Sequence, residues 1–354
     1  MPLQKTEIHS FLSLAKHYPV FDVRSPAEFA HAHIPGAHSL PIFNDNERKE
    51  IGTSYKQVSR EDAIKKGLRY FGPNMEDFVT KVEQAMRNYA SDDKKVLVHC
   101  WRGGMRSGAM AWLLGFYGFD VHVLDGGYKA YRNHILTQLE LPFRLNIIGG
   151  YTGSGKTEVL HQLQKRKIAV VDIEAIANHK GSAFGGFGQG AQPSQEQFEN
   201  NLHHALTAFY FTENGVFNQA EPIWVENESQ RIGALNLPNS FYQTMQHQPA
   251  YVIDVPFEER LEYIVKHYGT IEKEKLVNAI IRIQKKLGGL DTKNAVNFLL
   301  ENNVHECFRI LLSYYDKRYK ESSEKNERKP VTVSASVTSA EQTAGFLLNQ
   351  HTTH

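Results

Sequence analysis

The chain has 354 residues, of which 41% are hydrophobic and 22% charged, and its formal net charge is +1 at pH 7. This length exceeds one ordinary core, so two domains are expected, and the composition is that of a globular protein and excludes a disordered or fibrous one. No apolar run of about 18 residues occurs, which argues against a membrane span. The near-zero charge indicates no bulk attraction to nucleic acid, so any such surface must be a local patch.

The two cysteines, Cys100 and Cys307, are too few for a disulfide framework, and neither belongs to a metal-ligand pair such as C-x-x-C. The first residues also lack the basic and then apolar segments of a secretory signal. We therefore expect a reducing, cytoplasmic setting. The sequence leaves the oligomeric state open and allows a monomer.

Strand-like and helix-like segments alternate along most of the chain, which predicts an α/β fold. The first part has three predicted strands and two predicted helices, at 20–23, 95–99 and 120–124 and at 77–89 and 107–117, respectively. Residues 44–72 are charged and without a clear period, so we expect a long excursion with short helices there. Together these segments predict a first domain over residues 8–138.

Cys100 directly follows the strand at 95–99 and opens a glycine-containing loop that leads into a helix. The backbone amides of such a loop can converge on one centre, and the positive end of the helix points to the same place. Both effects favour the thiolate of Cys100, as do the neighbouring Arg102 and Arg106. We interpret these three as catalytic residues, with Cys100 the nucleophile. Cys307 lies in a helical stretch and is interpreted as a packing residue.

This first region resembles a rhodanese domain. The segments 21–29 and 33–37 are like its first signature, and 124–128 is like its last. The resemblance implies that the loop cysteine carries sulfur or selenium.

The cysteine loop departs from that family in one respect. Many of its sulfurtransferases have six residues from the cysteine to the closing arginine, whereas Cys100 to Arg106 spans seven. His99-Cys100-(x)5-Arg106-Ser107 is also the spacing of a cysteine phosphatase. The larger loop therefore fits either a phosphatase or a transferase whose chalcogen donor carries a phosphate, such as selenophosphate.

A second domain is predicted over residues 143–354, after a short boundary at 139–142. Residues 257–320 form a predicted helical segment, and the Gly- and Gln-rich stretch 181–197 is predicted to be a functional loop. The predicted strands of this domain lie at 143–148, 168–171, 222–225, 251–255 and 330–333.

The segment from Gly150 to Thr157 matches G-x-x-x-x-G-K-[ST] in full, between an apolar strand and a helical stretch. In such a P-loop the amides cradle a diphosphate, the lysine places its charge on it, and Thr157 can bind magnesium. This predicts a P-loop NTPase-like domain with a parallel sheet and a helical C-terminal part. The predicted diphosphate-binding residues are Gly150, Gly153, Ser154, Gly155, Lys156 and Thr157.

A second carboxylate, for a metal or a water, is expected at the end of a strand next to the P-loop strand. Glu226 is the first candidate and Glu228 the next, with Asp172 and Glu174 as alternatives. An N-cap or a surface ion pair explains any one of them equally well.

Three further groups of residues have ordinary explanations as well as functional ones. His31, His33 and His38 fit turn residues better than metal ligands, and His203 and His204 fit a structural role in an apolar helix. Residues 281–320 carry a net charge of +4 with interleaved tyrosines, which fits an RNA-facing surface and a solvated helix face equally well.

The order of a rhodanese-like domain and a P-loop domain resembles the tRNA 2-selenouridine synthase family over nearly the whole chain. Besides the two loops, the resemblance rests on segments 47–56, 172–185 and 224–233. It implies a two-step reaction on the wobble uridine of tRNA. Geranyl diphosphate alkylates the 2-thio sulfur, and selenium from selenophosphate then replaces the geranylthio group to give 2-selenouridine.

Under this resemblance Cys100 is the selenium-carrying nucleophile, and the P-loop holds the prenyl diphosphate. No tightly bound cofactor is implied, and magnesium would accompany the diphosphate. The implied partners are tRNA and an enzyme that supplies selenophosphate. Phe184 and Phe187 are candidates for lining a prenyl pocket.

Three hypotheses follow from the sequence. The first is this tRNA selenium and geranyl transferase. The second is a cysteine phosphatase fused to a P-loop small-molecule kinase. The third is a regulatory ATP-binding module with a persulfide sensor and no tRNA.

Overall fold

The structure is a computed structural model that describes residues 4–89, 93–182, 184–210, 221–323 and 330–351. Its strands are β1 (Gln4–Thr6), β2 (Val20–Asp22), β3 (His38–Ser39), β4 (Lys95–His99), β5 (Asp120–Leu124), β6 (Leu145–Gly150), β7 (Val170–Val171), β8 (Ile223–Glu226), β9 (Arg231–Ile232), β10 (Leu235–Asn236), β11 (Ala250–Asp254) and β12 (Val331–Ser334).

The helices of the first half are α1 (Ile8–Leu14), α2 (Pro26–His31), α3 (Asp45–Gln57), α4 (Arg60–Phe71), α5 (Met75–Met86), α6 (Met105–Tyr117), α7 (Gly127–Gln138), α8 (Lys156–Lys165) and α9 (Ile173–Ala177). Those of the second half are α10 (Gln195–Tyr210), α11 (Asn239–Gln246), α12 (Phe257–Tyr268), α13 (Lys273–Leu287), α14 (Gly289–Leu300), α15 (Val304–Ser323) and α16 (Ala340–His351).

Within the described residues, the chain forms two compact units, 4–139 with 194–210 and 140–193 with 221–351. The first unit contains a parallel sheet in the order β1-β5-β4-β2-β3. The central strand β4 is fully buried at Val96, Leu97 and Val98, as expected for a parallel strand covered on both faces. The predicted α/β fold is confirmed here.

The second unit contains a parallel sheet in the order β12-β11-β6-β8-β7. Strand β6 leads into the P-loop and lies between β11 and β8. Ligands of such open sheets bind outside the carboxyl ends of the strands, and the P-loop lies at that edge. Helices α12 to α15 pack around their own core, as predicted from the helical pattern at 257–320.

Residues 44–72 differ from expectation, since α3 and α4 have 13 and 12 residues and are not short. Their starts are fixed by side-chain caps. Asn44 accepts a hydrogen bond from the Glu47 amide, and Ser59 accepts one from the Asp62 amide. Capping of this kind stabilises the start of a helix, even where many charged residues leave no clear apolar period in its sequence.

Helix α10 packs with the first unit, although the sequence placed it in a continuous second domain over 143–354. Arg132 on α7 donates to the Asn200 side-chain oxygen at 2.5 Å, and Asn200 donates to the Tyr128 hydroxyl and to the His33 carbonyl, each at 2.9 Å. The chain therefore returns to the first unit after the first strands of the second. Among the described helices none has the length and hydropathy that a membrane-spanning segment needs.

Candidate active sites

The backbone of the cysteine loop is fixed by the first turn of α7. The Tyr128 amide donates to the Cys100 carbonyl at 2.8 Å, and the Lys129 amide donates to the Trp101 carbonyl at 3.0 Å. Gly127 has a φ of +60°, and a Cβ there would lie 2.4 Å from the Cys100 carbonyl oxygen. This close approach requires glycine and keeps the loop in one conformation before any ligand arrives.

The Cys100 thiol is buried, with 3% of its surface exposed, and its Sγ lies 3.2 Å from the Ser107 Oγ. Burial by itself raises the pKa of this thiol. Hydrogen bonds from the Ser107 hydroxyl and amide and from the Arg102 amide, with the charge of Arg106, outweigh burial and lower the pKa below its ordinary value. The loop is therefore built to hold a thiolate, which is the nucleophilic form.

The two arginines of the loop have different roles. Arg106 lies at the start of α6 and forms two hydrogen bonds to the Glu28 carboxylate, at 2.7 and 3.3 Å. Arg102 is exposed and acts on Cys100 through its backbone amide. The sequence had attributed the effect of Arg102 to its charge, and it had missed both Ser107 as a donor to the sulfur and Glu28 as the partner of Arg106.

A signal for Glu28 was present in the sequence. Ser25 and Glu28 have the spacing of a capping box, and they form one at the start of α2. This motif places the Glu28 carboxylate at a fixed helix end, from which it also reaches Arg106.

Buried polar residues support the strand end beside the cysteine. Arg24 and Asp22 form an ion pair of 2.5 Å, and the Arg24 guanidinium lies 3.8 Å from the centre of the Tyr128 ring. Burial lowers the pKa of the neighbouring His99, so its ring is neutral. Such a network holds the ends of β2 and β4 together.

An open cleft of about 430 Å³ lies at the surface of the first unit next to the loop. Cys100 is not exposed in its wall, but Trp101 and the Arg106 partner Glu28 are. The cleft is lined by Arg24, Ser25, Ala27, Glu28, His31, Asp45, Arg48, Trp101 and Glu196.

In the second unit, the P-loop connects β6 to α8 as predicted. The Lys156 ammonium donates to the Gly150 carbonyl at 3.1 Å and to the Tyr151 carbonyl at 3.4 Å. It is thus held over the loop, where its charge would meet a phosphate. All six predicted diphosphate-binding residues line one open cleft of about 440 Å³.

Helices α12 and α15 brace the P-loop from outside, which the sequence did not predict. Arg260 is buried, donates to the Thr152 carbonyl at 3.1 Å and forms two hydrogen bonds to Asp316 at 2.9 and 2.6 Å. The Gly150 amide donates to the Tyr319 hydroxyl at 3.0 Å. These contacts join residues that are far apart in the chain, so no local sequence pattern predicts them.

The four candidate carboxylates lie at or just after the ends of β8, which neighbours the P-loop strand β6, and of β7, which neighbours β8. Glu226 is buried, its Oε1 accepts from the Glu174 amide at 2.7 Å, and its Oε2 has no hydrogen-bond partner within the described residues. Burial, then the charge of Asp172, raises the pKa of Glu226. Asp172 is the N-cap of α9 and accepts a hydrogen bond from the Ala175 amide at 2.7 Å. A role as a helix cap therefore explains this carboxylate.

Glu228 and Glu174 line the P-loop cleft together. Burial, then the charge of Glu174, raises the pKa of Glu228 to about 8. Burial also raises the pKa of Glu174, against the charge of Lys156. Since the two carboxyl groups share a hydrogen bond, they titrate together, and their mutual repulsion favours the retention of one proton by the pair.

Of the predicted packing residues, Cys307 and His203 are buried as expected, whereas His204 is exposed. Burial raises the pKa of Cys307 to about 12, which keeps this thiol protonated and unreactive. His203 is buried and its pKa falls to about 3 for the same reason. Within the described part of the chain, no three His, Cys, Asp or Glu side chains are arranged to hold a metal ion.

These features define a two-domain α/β protein with a rhodanese-type thiolate loop in one unit and a diphosphate-type P-loop in the other. A family model described as "Rhodanese-like domain" matches residues 7–134, and one described as "tRNA 2-selenouridine synthase AAA domain" matches residues 143–350. The chain belongs to the tRNA 2-selenouridine synthase family.

Curated relatives agree with this assignment. A tRNA 2-selenouridine synthase of Hydrogenovibrio crunogenus is 33% identical over 89% of this chain and 91% of its own length. One of Nitrosomonas europaea is 32% identical over 88% of this chain and 91% of its own, and one of Pseudomonas syringae is 35% identical over 85% and 87%.

Proposed function

We propose that the protein converts the 2-thiouridine at the wobble position of tRNA into 2-selenouridine through an S-geranyl intermediate. The observation that carries this proposal is the presence, in one member of this family, of both a thiolate-stabilising cysteine loop and a P-loop with its lysine in place. A phosphatase fused to a kinase and an ATP-binding sensor remain the alternatives, and membership of the family favours the transferase.

In the first step the 2-thio sulfur attacks C1 of geranyl diphosphate. The C1–O bond breaks, diphosphate leaves with the electron pair, and the uridine N3 proton is released. The P-loop amides and Lys156 stabilise the charge that develops on the diphosphate, which is the largest electrostatic demand of the step. ATP hydrolysis is not needed for it.

The residues present fit a magnesium ion that binds with the diphosphate. Thr157 lines the cleft, and Glu226, which is buried and is not part of the cleft wall, has an Oε2 without a hydrogen-bond partner among the described residues. Both are the hard oxygen donors that magnesium prefers. When bound, the ion would neutralise part of the diphosphate charge.

In the second step selenium from selenophosphate replaces the geranylthio group at C2, and geranylthiolate leaves. Alkylation has made this sulfur a better leaving group than the original thiocarbonyl. The selenium of selenophosphate attacks C2, geranylthiolate leaves with the electron pair of the C–S bond, and water then cleaves the Se–P bond to release phosphate. The cysteine loop, with Cys100, its backbone amides and Arg106, positions the phosphate-bearing donor for this attack. A cytoplasmic setting suits this step, since it needs the free thiol that the described chain has at Cys100.

The test uses an anticodon stem-loop that contains 2-thiouridine, followed by mass spectrometry of its nucleosides. Lys156→Ala should slow geranyl transfer by about 100-fold or more, whereas Lys165→Ala, at the exposed far end of the same helix, should not. Cys100→Ala should retain geranylation and lose selenation, while Cys307→Ala should retain both. Absence of any geranyl adduct with the wild type, with and without magnesium, would refute the proposal.

A further inference from the structure

A narrow apolar crevice opens from the P-loop cleft. Its volume is about 30 Å³, against about 440 Å³ for the cleft itself. The two share one wall, so the crevice is an extension of the cleft. The shared residues are Thr152, Ser182, Ile264, Tyr268 and Tyr315.

The inner wall of the crevice consists of hydrophobic side chains from α15 and from the loop before α10. These are Phe184, Phe308, Leu311 and Leu312, which are all buried and line the crevice but not the cleft. The Phe184 ring meets the rings of Phe308 and Tyr315, with centres 6.2 and 6.4 Å apart. The crevice therefore has an aromatic wall.

We infer that this crevice receives the end of the hydrocarbon tail of a prenyl diphosphate whose diphosphate lies on the P-loop. The inference rests on the proposed function. A polar cradle joined to an apolar slot matches a molecule with a diphosphate at one end and a hydrocarbon at the other. Phe184 belongs to this slot as the sequence suggested, while Phe187 packs behind it and does not line it.

The crevice also sets the length of tail that fits. Its volume has room for about two water-sized groups, so it accepts the branched end of a chain that otherwise runs along the shared wall. A tail with one more isoprene unit would meet Phe308 and Leu312. Geranyl diphosphate should therefore bind more tightly than its shorter and longer homologues.

The first measurement uses the wild-type protein without tRNA, in direct titrations with magnesium. Geranyl diphosphate should bind at least about tenfold more tightly than inorganic diphosphate, because at least two tail carbons leave water. Farnesyl diphosphate should bind less tightly than geranyl diphosphate. Equal affinities for geranyl diphosphate and inorganic diphosphate would overturn the inference.

Phe308→Ala should lengthen the crevice and raise the ratio of farnesyl to geranyl affinity by about tenfold, leaving the affinity for inorganic diphosphate unchanged. Leu299→Ala is the matched control, since Leu299 is fully buried in the same core cluster but does not line the crevice. An equal change in both variants would mean that loosened packing, and not the crevice, decides tail length.

A geranyl diphosphate analogue with a photoreactive tail end gives a readout that needs no variant. The wild type should be labelled at residues that line the crevice, above all Phe184 and residues 308–315 of α15. Labelling only at residues outside the crevice wall would overturn the inference. Selective geranyl binding without transfer to tRNA would refute the proposed function and leave the crevice assignment standing. Geranyl transfer to tRNA, with equal affinities for geranyl diphosphate and inorganic diphosphate, would refute the crevice assignment and leave the proposed function standing.

Discussion

At the scale of single residues, the reactivity of Cys100 depends on a hydroxyl seven positions further along the chain. Ser107 lies in the first turn of α6 and places its Oγ 3.2 Å from the sulfur. Burial opposes a charge on Cys100, and it is the donors around the sulfur that reverse this effect. The lowered pKa of Cys100 therefore depends both on the loop and on the first turn of α6.

Ser107→Ala should raise the pKa of Cys100, because one donor to the thiolate is lost. A hydrogen bond to a charged group is worth about 1.5–3 kcal/mol, or about one pH unit or more. Only the thiolate reacts with iodoacetamide, so the labelling rate rises as pH passes the thiol pKa. In the wild type this rise should occur below the ordinary thiol pKa, and in Ser107→Ala it should move to higher pH.

A Cys307→Ala background leaves Cys100 as the only thiol for this measurement. If the midpoint of labelling were the same in both proteins, the Ser107 hydroxyl would not be a significant donor to the sulfur.

At the scale of elements, α10 packs in the first unit although the segments before and after it in the chain belong to the second. The Asn200 side chain satisfies three groups of the first unit, namely Arg132, the Tyr128 hydroxyl and the His33 carbonyl. It is fully buried. Its bond to the Tyr128 hydroxyl lies away from water, and the other two are partly buried. The helix contributes to the stability of the unit that contains Cys100, although it follows the P-loop in the chain.

Asn200→Ala should lower the free energy of unfolding by about 2–4 kcal/mol, because buried polar groups lose their partners. Urea unfolding, followed by tryptophan fluorescence, would measure it. Asn201→Ala is the neighbouring control, since the Asn201 side chain accepts one bond, from Gln197 within α10, and should cost less than about 1 kcal/mol. Equal losses in the two variants would contradict the role of Asn200.

At the scale of the whole molecule, the basic region at 281–320 divides into two parts. Arg309 is held by Glu258 at 2.7 and 2.9 Å and by Glu306 at 3.2 Å, so its charge is neutralised within the protein. Arg282, Lys285 and Lys286, in contrast, are exposed on α13. If this region meets tRNA, α13 supplies part of the contacts, beside the exposed Lys293, Lys317 and Lys320.

Replacing Arg282, Lys285 and Lys286 together with glutamine should weaken tRNA binding. It should also reduce the slope of log affinity against log salt by about 2–3, since each lost phosphate contact releases about one counterion fewer. Arg309→Gln should leave the slope unchanged. Binding titrations at several salt concentrations measure both, and an unchanged slope in the triple variant would show that α13 is a solvated face.

The sequence by itself determined the fold class, most strands of both sheets, and the two loops. These features are local, because an apolar period, a P-loop or a cysteine before a helix is encoded within about ten consecutive residues. It also distinguished Cys100 from Cys307, since a glycine-containing loop and a helix interior give a thiol opposite environments.

Only the tertiary structure decided which distant side chains complete each site. Glu28 and Arg106 are 78 residues apart, and Arg260 and Asp316 are 56 apart. The same holds for the unit to which α10 belongs and for the crevice, whose wall combines two loops with two helices. Such contacts depend on how whole elements pack against each other, and packing is set by the sum of many weak interactions that no local pattern contains.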